Sequence, residues 1–208
     1  GIDLDHYNPE LPEVKNAAAK IRKDDICTFI FVGRLVGDKG INELVEAFVR
    51  LNEEFPSTRL VLVGPEERTL DPLKPGTLAK IASCGSIEAV GSQKDVRPWL
   101  TAADVFVFPS YREGFPNVVI EAGAMCLPSI VTDINGSREI IIEGRNGLII
   151  PPKDEELLYQ AMKRLLVKPA ERTSMATEAR PLVSSRYEQA YVRRCLKEYY
   201  KEILSNKK

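Results

Sequence analysis

DVFVFPSYREGFPNVVIEAGAMCLPSIVTD, residues 104–133, decides the fold. DVFVFPS (104–110) is a continuous Val/Phe run closed by a proline, and LPSIVTD (127–133) is a second apolar run. Both read as strands buried on two faces. Between them Pro116 opens a helical stretch that runs to about Met125. Its φ is preset and its missing N–H is not needed in a first turn. Strand, helix and strand at this spacing predict one parallel βαβ unit. Glu113 then lies on the loop that leaves the first strand, and Glu121 lies well inside the helix. Gly114 lets backbone approach a ligand closely, and the helix start offers free N–H groups to an anion. Carboxylates for hydroxyls and amides for phosphate oxygens are what a sugar phosphate would require.

The same alternation extends outward. CTFIFVG (27–33), RLVLVG (59–64), SIEAVG (86–91) and NGLIIPP (146–152) read as further strands. INELVEAFVRLNEEF (41–55), GTLAKIASC (76–84) and DVRPWLTAA (95–103) read as the helices between them. Six such units predict an α/β fold: a doubly wound, Rossmann-like, parallel six-stranded sheet of order 3-2-1-4-5-6. From Asp154 onward the chain is expected to be helical. EQAYVRRCLKEYYKEILSNKK places Tyr191, Cys195, Tyr199 and Ile203 four apart, on one face of a final amphipathic helix.

Strand one ends in FVGRLVGDKGI, where Gly33, Gly37 and Gly40 punctuate a loop carrying Arg34 and Lys39. Two cations, a pliable backbone and the start of a helix suit a diphosphate. The spacing is neither the dinucleotide G-x-G-x-x-G nor a P-loop, so hydride transfer and P-loop chemistry lose their support. In the predicted strand order, strands one and four flank the switch point where ligands bind. The Arg34/Lys39 loop leaves one and the Glu113 loop leaves the other. Either loop alone also reads as an ordinary strand-to-helix turn. Facing one crevice, they read as a site. VGSQKDV (90–96) and DINGSREII (133–141) are expected on the same rim, with backbone at Val90 and Gly91 offered to a nucleobase edge.

Composition removes several alternatives. In 208 residues the formal net charge is -1, which gives no electrostatic case for nucleic acid. No apolar run approaches the length of a membrane span, and the opening GIDLDHYNPELPE is too polar for a signal peptide. Its first residue is Gly rather than Met, which fits a fragment or a processed form. Cys27, Cys84, Cys126 and Cys195 are widely spaced and read as buried free thiols in a reducing compartment. Asp3-Leu4-Asp5 matches a D-x-D pattern but has no third carboxylate, so no metal site is expected. A histidine-dependent triad would rest on His6, the one histidine, in a loop-like stretch.

These residues resemble the retaining glycosyltransferases of family 4, in the C-terminal, donor-binding half of their GT-B fold. GIDLDHYNP, FVGRLVGDKGINELVEAF, EAVGSQKDVRPWLTAADVFVFPSYREGFPNVVIEAGAMCLPSIVTDINGSREII and NGLIIPPKDEELLYQAMKRLL carry the resemblance in the family's order. It implies catalytic roles for Arg34 and Lys39 on the donor diphosphate and for Glu113 on the donor sugar. It implies donor contacts from Gly33, Val90, Gly91, Gly114, Phe115, Pro116, Asn117 and, toward the ribose, Glu121. It implies no cofactor and no metal; the donor is a nucleoside diphosphate sugar, a UDP-sugar by likeness to bacterial surface-polysaccharide enzymes. Residues 1–24 would lead in from a missing N-terminal, acceptor-binding half. Residues 25–185 would form the donor domain, and 186–208 a helix that crosses back to that half. The acceptor would be lipid-linked, and the protein cytoplasmic at the inner face of the membrane. A nucleotide-sugar epimerase half and a non-catalytic nucleotide-binding module fit the same residues.

Overall fold

The computed structural model describes residues 1–205. Six strands, β1 (Cys27–Val32), β2 (Thr58–Val63), β3 (Ile87–Gly91), β4 (Val105–Phe108), β5 (Ser129–Thr132) and β6 (Gly147–Ile150), form one sheet. Their order is β3-β2-β1-β4-β5-β6 and every pairing is parallel, as the alternation predicts. All residues of β2, β4 and β5 are buried. Strands of Val, Ile and Leu suit this placement because both faces are covered. Phe29, Phe31, Phe48 and Phe106 are wholly buried in the core, each contributing about 1.5–3 kcal/mol relative to exposure.

The helices are α1 (Pro12–Ile21), α2 (Ile41–Glu54), α3 (Pro75–Ser83), α4 (Arg97–Thr101) and α5 (Asn117–Ala124), then α6 (Ser137–Ile140), α7 (Glu155–Val167), α8 (Pro169–Tyr187) and α9 (Gln189–Ser205). α2 packs with α3 and α7, α1 with α4, and α5 with α8. Three details depart from the sequence reading. The lead-in contains a helix, α1, that its turn-rich opening concealed; Pro12 starts it, and buried Arg59 on β2 donates to the Ile21 carbonyl at its end (2.9 Å). Pro116 is the N-cap of α5 with extended backbone, one residue before the first turn. The cysteines are free, but half-buried rather than buried, and Cys195 is exposed.

The final helix begins at Gln189 after an extended Glu188; the expected helical residues 206–208 lie outside the described part. No residue of α9 is buried, and its Tyr191, Leu196, Tyr199 and Tyr200 are exposed. Where α8 gives way to α9 the lead-in returns: Ile2 N–H donates to Tyr187 (2.7 Å) and Gln189 N–H to Ile2 (2.8 Å). Arg180 on α8 donates to the carbonyls of Leu4 and Tyr7 and to that of Ala124 on α5. One guanidinium thereby fixes the lead-in against the helix that carries Glu121.

At the carboxyl edge of the sheet the strand ends come very close. A Cβ on Gly64 would lie 1.8 Å from the Gly33 carbonyl oxygen, at φ +142°. One on Gly114 would meet nothing within 4 Å. Gly64→Ala is therefore expected to lower stability by about 3 kcal/mol or more, while Gly114→Ala leaves the melting temperature nearly unchanged. Thermal unfolding of both variants checks this.

Candidate functional site: a crevice between two loops

β1 and β4 pair only at Phe29–Val105 and Ile30–Phe106. Beyond that point the Phe31 and Phe108 rings stack at 5.8 Å. The loops leaving the two strands meet above these rings. The first makes a 3-10 turn at Gly37–Lys39 before α2. The second runs from Pro109 to Pro116. Tyr111 N–H donates to the Asp38 carbonyl (2.8 Å), which joins the loops through backbone.

Side chains close the junction. The Lys39 ammonium forms an ion pair with Glu113, and each side chain is only 16% exposed. The Ser110 hydroxyl donates to the same Glu113 oxygen (2.8 Å). Ser110 is itself fully buried, and its carbonyl accepts from the Thr132 hydroxyl. The Lys39 ammonium lies 5.8 Å from the centre of the Phe108 ring. Arg34 is exposed at the mouth and makes no ion pair or side-chain hydrogen bond among the described residues. The expected meeting of the Arg34/Lys39 loop with the Glu113 loop is thus found in direct contact. Asp71, from the loop after β2, accepts from the Asp38 N–H, and its carbonyl accepts from Gly37 N–H (3.0 Å), so the 3-10 turn is held from outside.

Glu121 stands apart from this pair. It lines a cavity of about 160 Å³ with Asp3, Tyr7, Asn117 and Ile120. Burial pushes its carboxyl above the usual carboxylate range, against the opposing hydrogen bond from Tyr7. Burial and the facing Glu121 carboxylate push the Tyr7 phenol up to about 12. Tyr7 therefore stays protonated, its phenol facing the Glu121 carboxyl. The N–H groups of Asn117 and Val118, at the start of α5, take no hydrogen bond among the described residues. They remain available to an acceptor, as the fresh helix start implies.

The other predicted residues line the same edge. The Val90 carbonyl accepts from the Gln93 amide (2.7 Å), and Gly91, at φ +67°, accepts from Gly64 N–H (2.9 Å). The loop after β3 is tied to the lead-in by Arg97, which donates to the His6 carbonyl (2.9 Å) and forks onto Asp95. Arg97 holds the Asp95 carboxyl below its usual range. Phe115 is 44% exposed and meets Tyr187 edge-on at 5.5 Å. Gly136, at φ +80°, lies under this loop; a Cβ there would fall 2.6 Å from the Gly114 carbonyl oxygen. A broader hollow around Arg22, Asp104 and Arg172 sits at the amino ends of the strands, the opposite side from where such sheets bind ligands.

Sequence reasoning missed Tyr7, Ser110, Thr132 and Asp71. Ser110 precedes Glu113 by three residues and could have been found as a loop partner; the others reach the site from distant segments. Among the described residues no group of three His, Cys, Asp or Glu side chains could hold a metal ion. No described helix is long and apolar enough to cross a membrane.

Comparison with known proteins completes the picture. The family of glycosyl transferases group 1 matches residues 27–168. The capsular polysaccharide biosynthesis glycosyltransferase CapM of Staphylococcus aureus is 24% identical over 204 residues, covering 98% of this chain and 53% of CapM. Among solved structures, the C-terminal domain of LpcC, a glycosyl transferase group 1 family protein of Francisella tularensis, is 25% identical. It superposes with a TM-score of 0.78 over 91% of this chain and 100% of that one. HepE of Anabaena, solved with UDP and glucose, shares the fold at 19% identity, with a TM-score of 0.82 over 97% of this chain and 55% of HepE. The chain spans about half the length of CapM and HepE. The family match runs from β1 to the end of α7 and takes in both loops of the crevice, so the chain belongs to the glycosyl transferases group 1.

Proposed function

We propose that this chain is the C-terminal, donor-binding half of a retaining glycosyltransferase that uses a nucleoside diphosphate sugar, most simply a UDP-sugar. The observation that carries the reading is the meeting of Lys39 with Glu113 at the β1/β4 crevice. A cation for phosphate and a carboxylate for sugar hydroxyls stand side by side there, at the switch point of the sheet. The UDP and glucose bound by HepE, and the polysaccharide role of CapM, support the donor class and the process. The isolated C-terminal domain of LpcC supports a half that folds by itself.

In this reading the bond from the anomeric carbon to the diphosphate oxygen breaks, an acceptor hydroxyl oxygen bonds to that carbon on the same face, and the hydroxyl proton passes to the departing diphosphate oxygen. Negative charge gathers on the departing diphosphate. Arg34, Lys39 and the free N–H groups at the start of α5 stabilise it, so preorganised electrostatics carries the catalysis and no metal ion is required. Glu113 accepts from hydroxyls of the donor sugar and Glu121 from those of the ribose. Gly33, Val90, Gly91, Gly114, Phe115, Pro116 and Asn117 supply the remaining donor contacts. The acceptor, a lipid-linked glycan at the membrane face, would be held by an N-terminal half, against which the apolar face of α9 would rest.

Two outcomes test the donor site. Arg34→Ala and Lys39→Ala should each weaken UDP binding by ~1.5–3 kcal/mol, the scale of hydrogen bonds to charged groups, in calorimetric titrations run with and without EDTA. A strict Mg²⁺ requirement, or no loss in either variant, contradicts the assignment. The second outcome uses the raised Glu121 carboxyl. A carboxyl raised on folding contributes most to stability at low pH, and that contribution is lost as pH climbs from the ordinary carboxylate value through the raised one. Glu121→Gln should therefore melt higher than wild type at neutral pH, with the gap closing in acid, while binding UDP more weakly. Unfolding scans across pH, paired with titrations, read both effects.

A further inference from the structure

Lys39 and Glu113 are both assigned to the donor, yet they are bonded to each other. The contact is built rather than incidental. Each side chain is largely covered, and Ser110 directs the Glu113 oxygen by a 2.8 Å hydrogen bond. Thr132 pins Ser110 through its carbonyl, and the Phe108 ring lies beneath the ammonium. A phosphate oxygen that approaches Lys39 therefore approaches the Glu113 carboxylate as well. Two anions then compete for one ammonium, which cannot pair fully with both.

We infer that Glu113 competes with the diphosphate for Lys39 and so drives release of the nucleoside diphosphate product. The inference rests on the donor-site reading above. While the sugar is attached, its hydroxyls donate to Glu113 and the carboxylate has partners other than Lys39. After transfer those donors leave with the sugar. Glu113, still directed by Ser110, recaptures the ammonium and weakens the hold on the diphosphate. No bond is made or broken in this exchange; one ion pair replaces another. The division of labour expected from sequence leaves UDP affinity nearly indifferent to Glu113, whereas competition makes Glu113 harmful to it.

The test is a double-mutant cycle on this chain. Wild type, Glu113→Gln, Lys39→Ala and the double variant are titrated with UDP and with inorganic pyrophosphate, after thermal melts establish that all four are folded. Glu113→Gln should bind both probes about ten-fold more tightly, as expected when one charge-assisted contact no longer has to be displaced. In the Lys39→Ala background the same change should alter affinity by less than about two-fold, because the competitor has lost its target. UDP affinity that falls or stays unchanged in Glu113→Gln, with wild type binding normally, overturns the inference alone. Equal tightening in both backgrounds also overturns it, since that would be general charge repulsion. Failure of all four proteins to bind either probe overturns the donor-site reading, and this inference with it.

Discussion

The short pairing of β1 with β4 is the constraint on which the rest of the structure depends. Two residues of each strand are in register, and the sheet order reverses there. On either side successive strands are wound the opposite way, so the loops leaving β1 and β4 rise from neighbouring strands without a helix between them. Stacked Phe31 and Phe108 floor the gap. Everything assigned to phosphate or sugar sits on those two loops or on the helix that follows the second. A different strand order with the same loop sequences would separate Lys39 from Glu113.

The site keeps charged groups where their desolvation is costly. A largely covered ion pair must recover the desolvation of both charges, and Ser110 provides part of that recovery for Glu113. Glu121 is kept in a place that disfavours its charge. The fold tolerates this because the sheet beneath is buried on both faces and the loops are tied by backbone and side-chain bonds from several directions. Such local conflict in an otherwise consistent structure is where function is expected.

Much of this was legible in sequence for identifiable reasons. Strands buried on both faces write themselves as nearly unbroken Val, Ile, Leu and Phe runs, as β1, β2, β4 and β5 do. β3, at the sheet edge, alternates buried with part-exposed residues and is interrupted by Glu88, and the strand order followed from the βα alternation. Lys39 and Glu113 stand on strand-to-helix loops, and the topology rule alone brings those loops together. The remainder depends on pairing between distant segments. Tyr7 reaches Glu121 across more than a hundred residues, and Thr132 reaches Ser110 across 22. Neither has a period or spacing to betray it. Helix α1 was hidden by the turn-rich residues before it. Pro116 fell one residue early because proline suits an extended N-cap as well as a first turn.

The most direct measurement is a crystal structure of this chain with UDP. The account predicts the diphosphate in the β1/β4 crevice, with phosphate oxygens on Arg34 and Lys39, the ribose on Glu121, and the Lys39–Glu113 contact lengthened or broken. UDP bound elsewhere, or bound with the Lys39–Glu113 pair intact and no phosphate oxygen on Lys39, would contradict it.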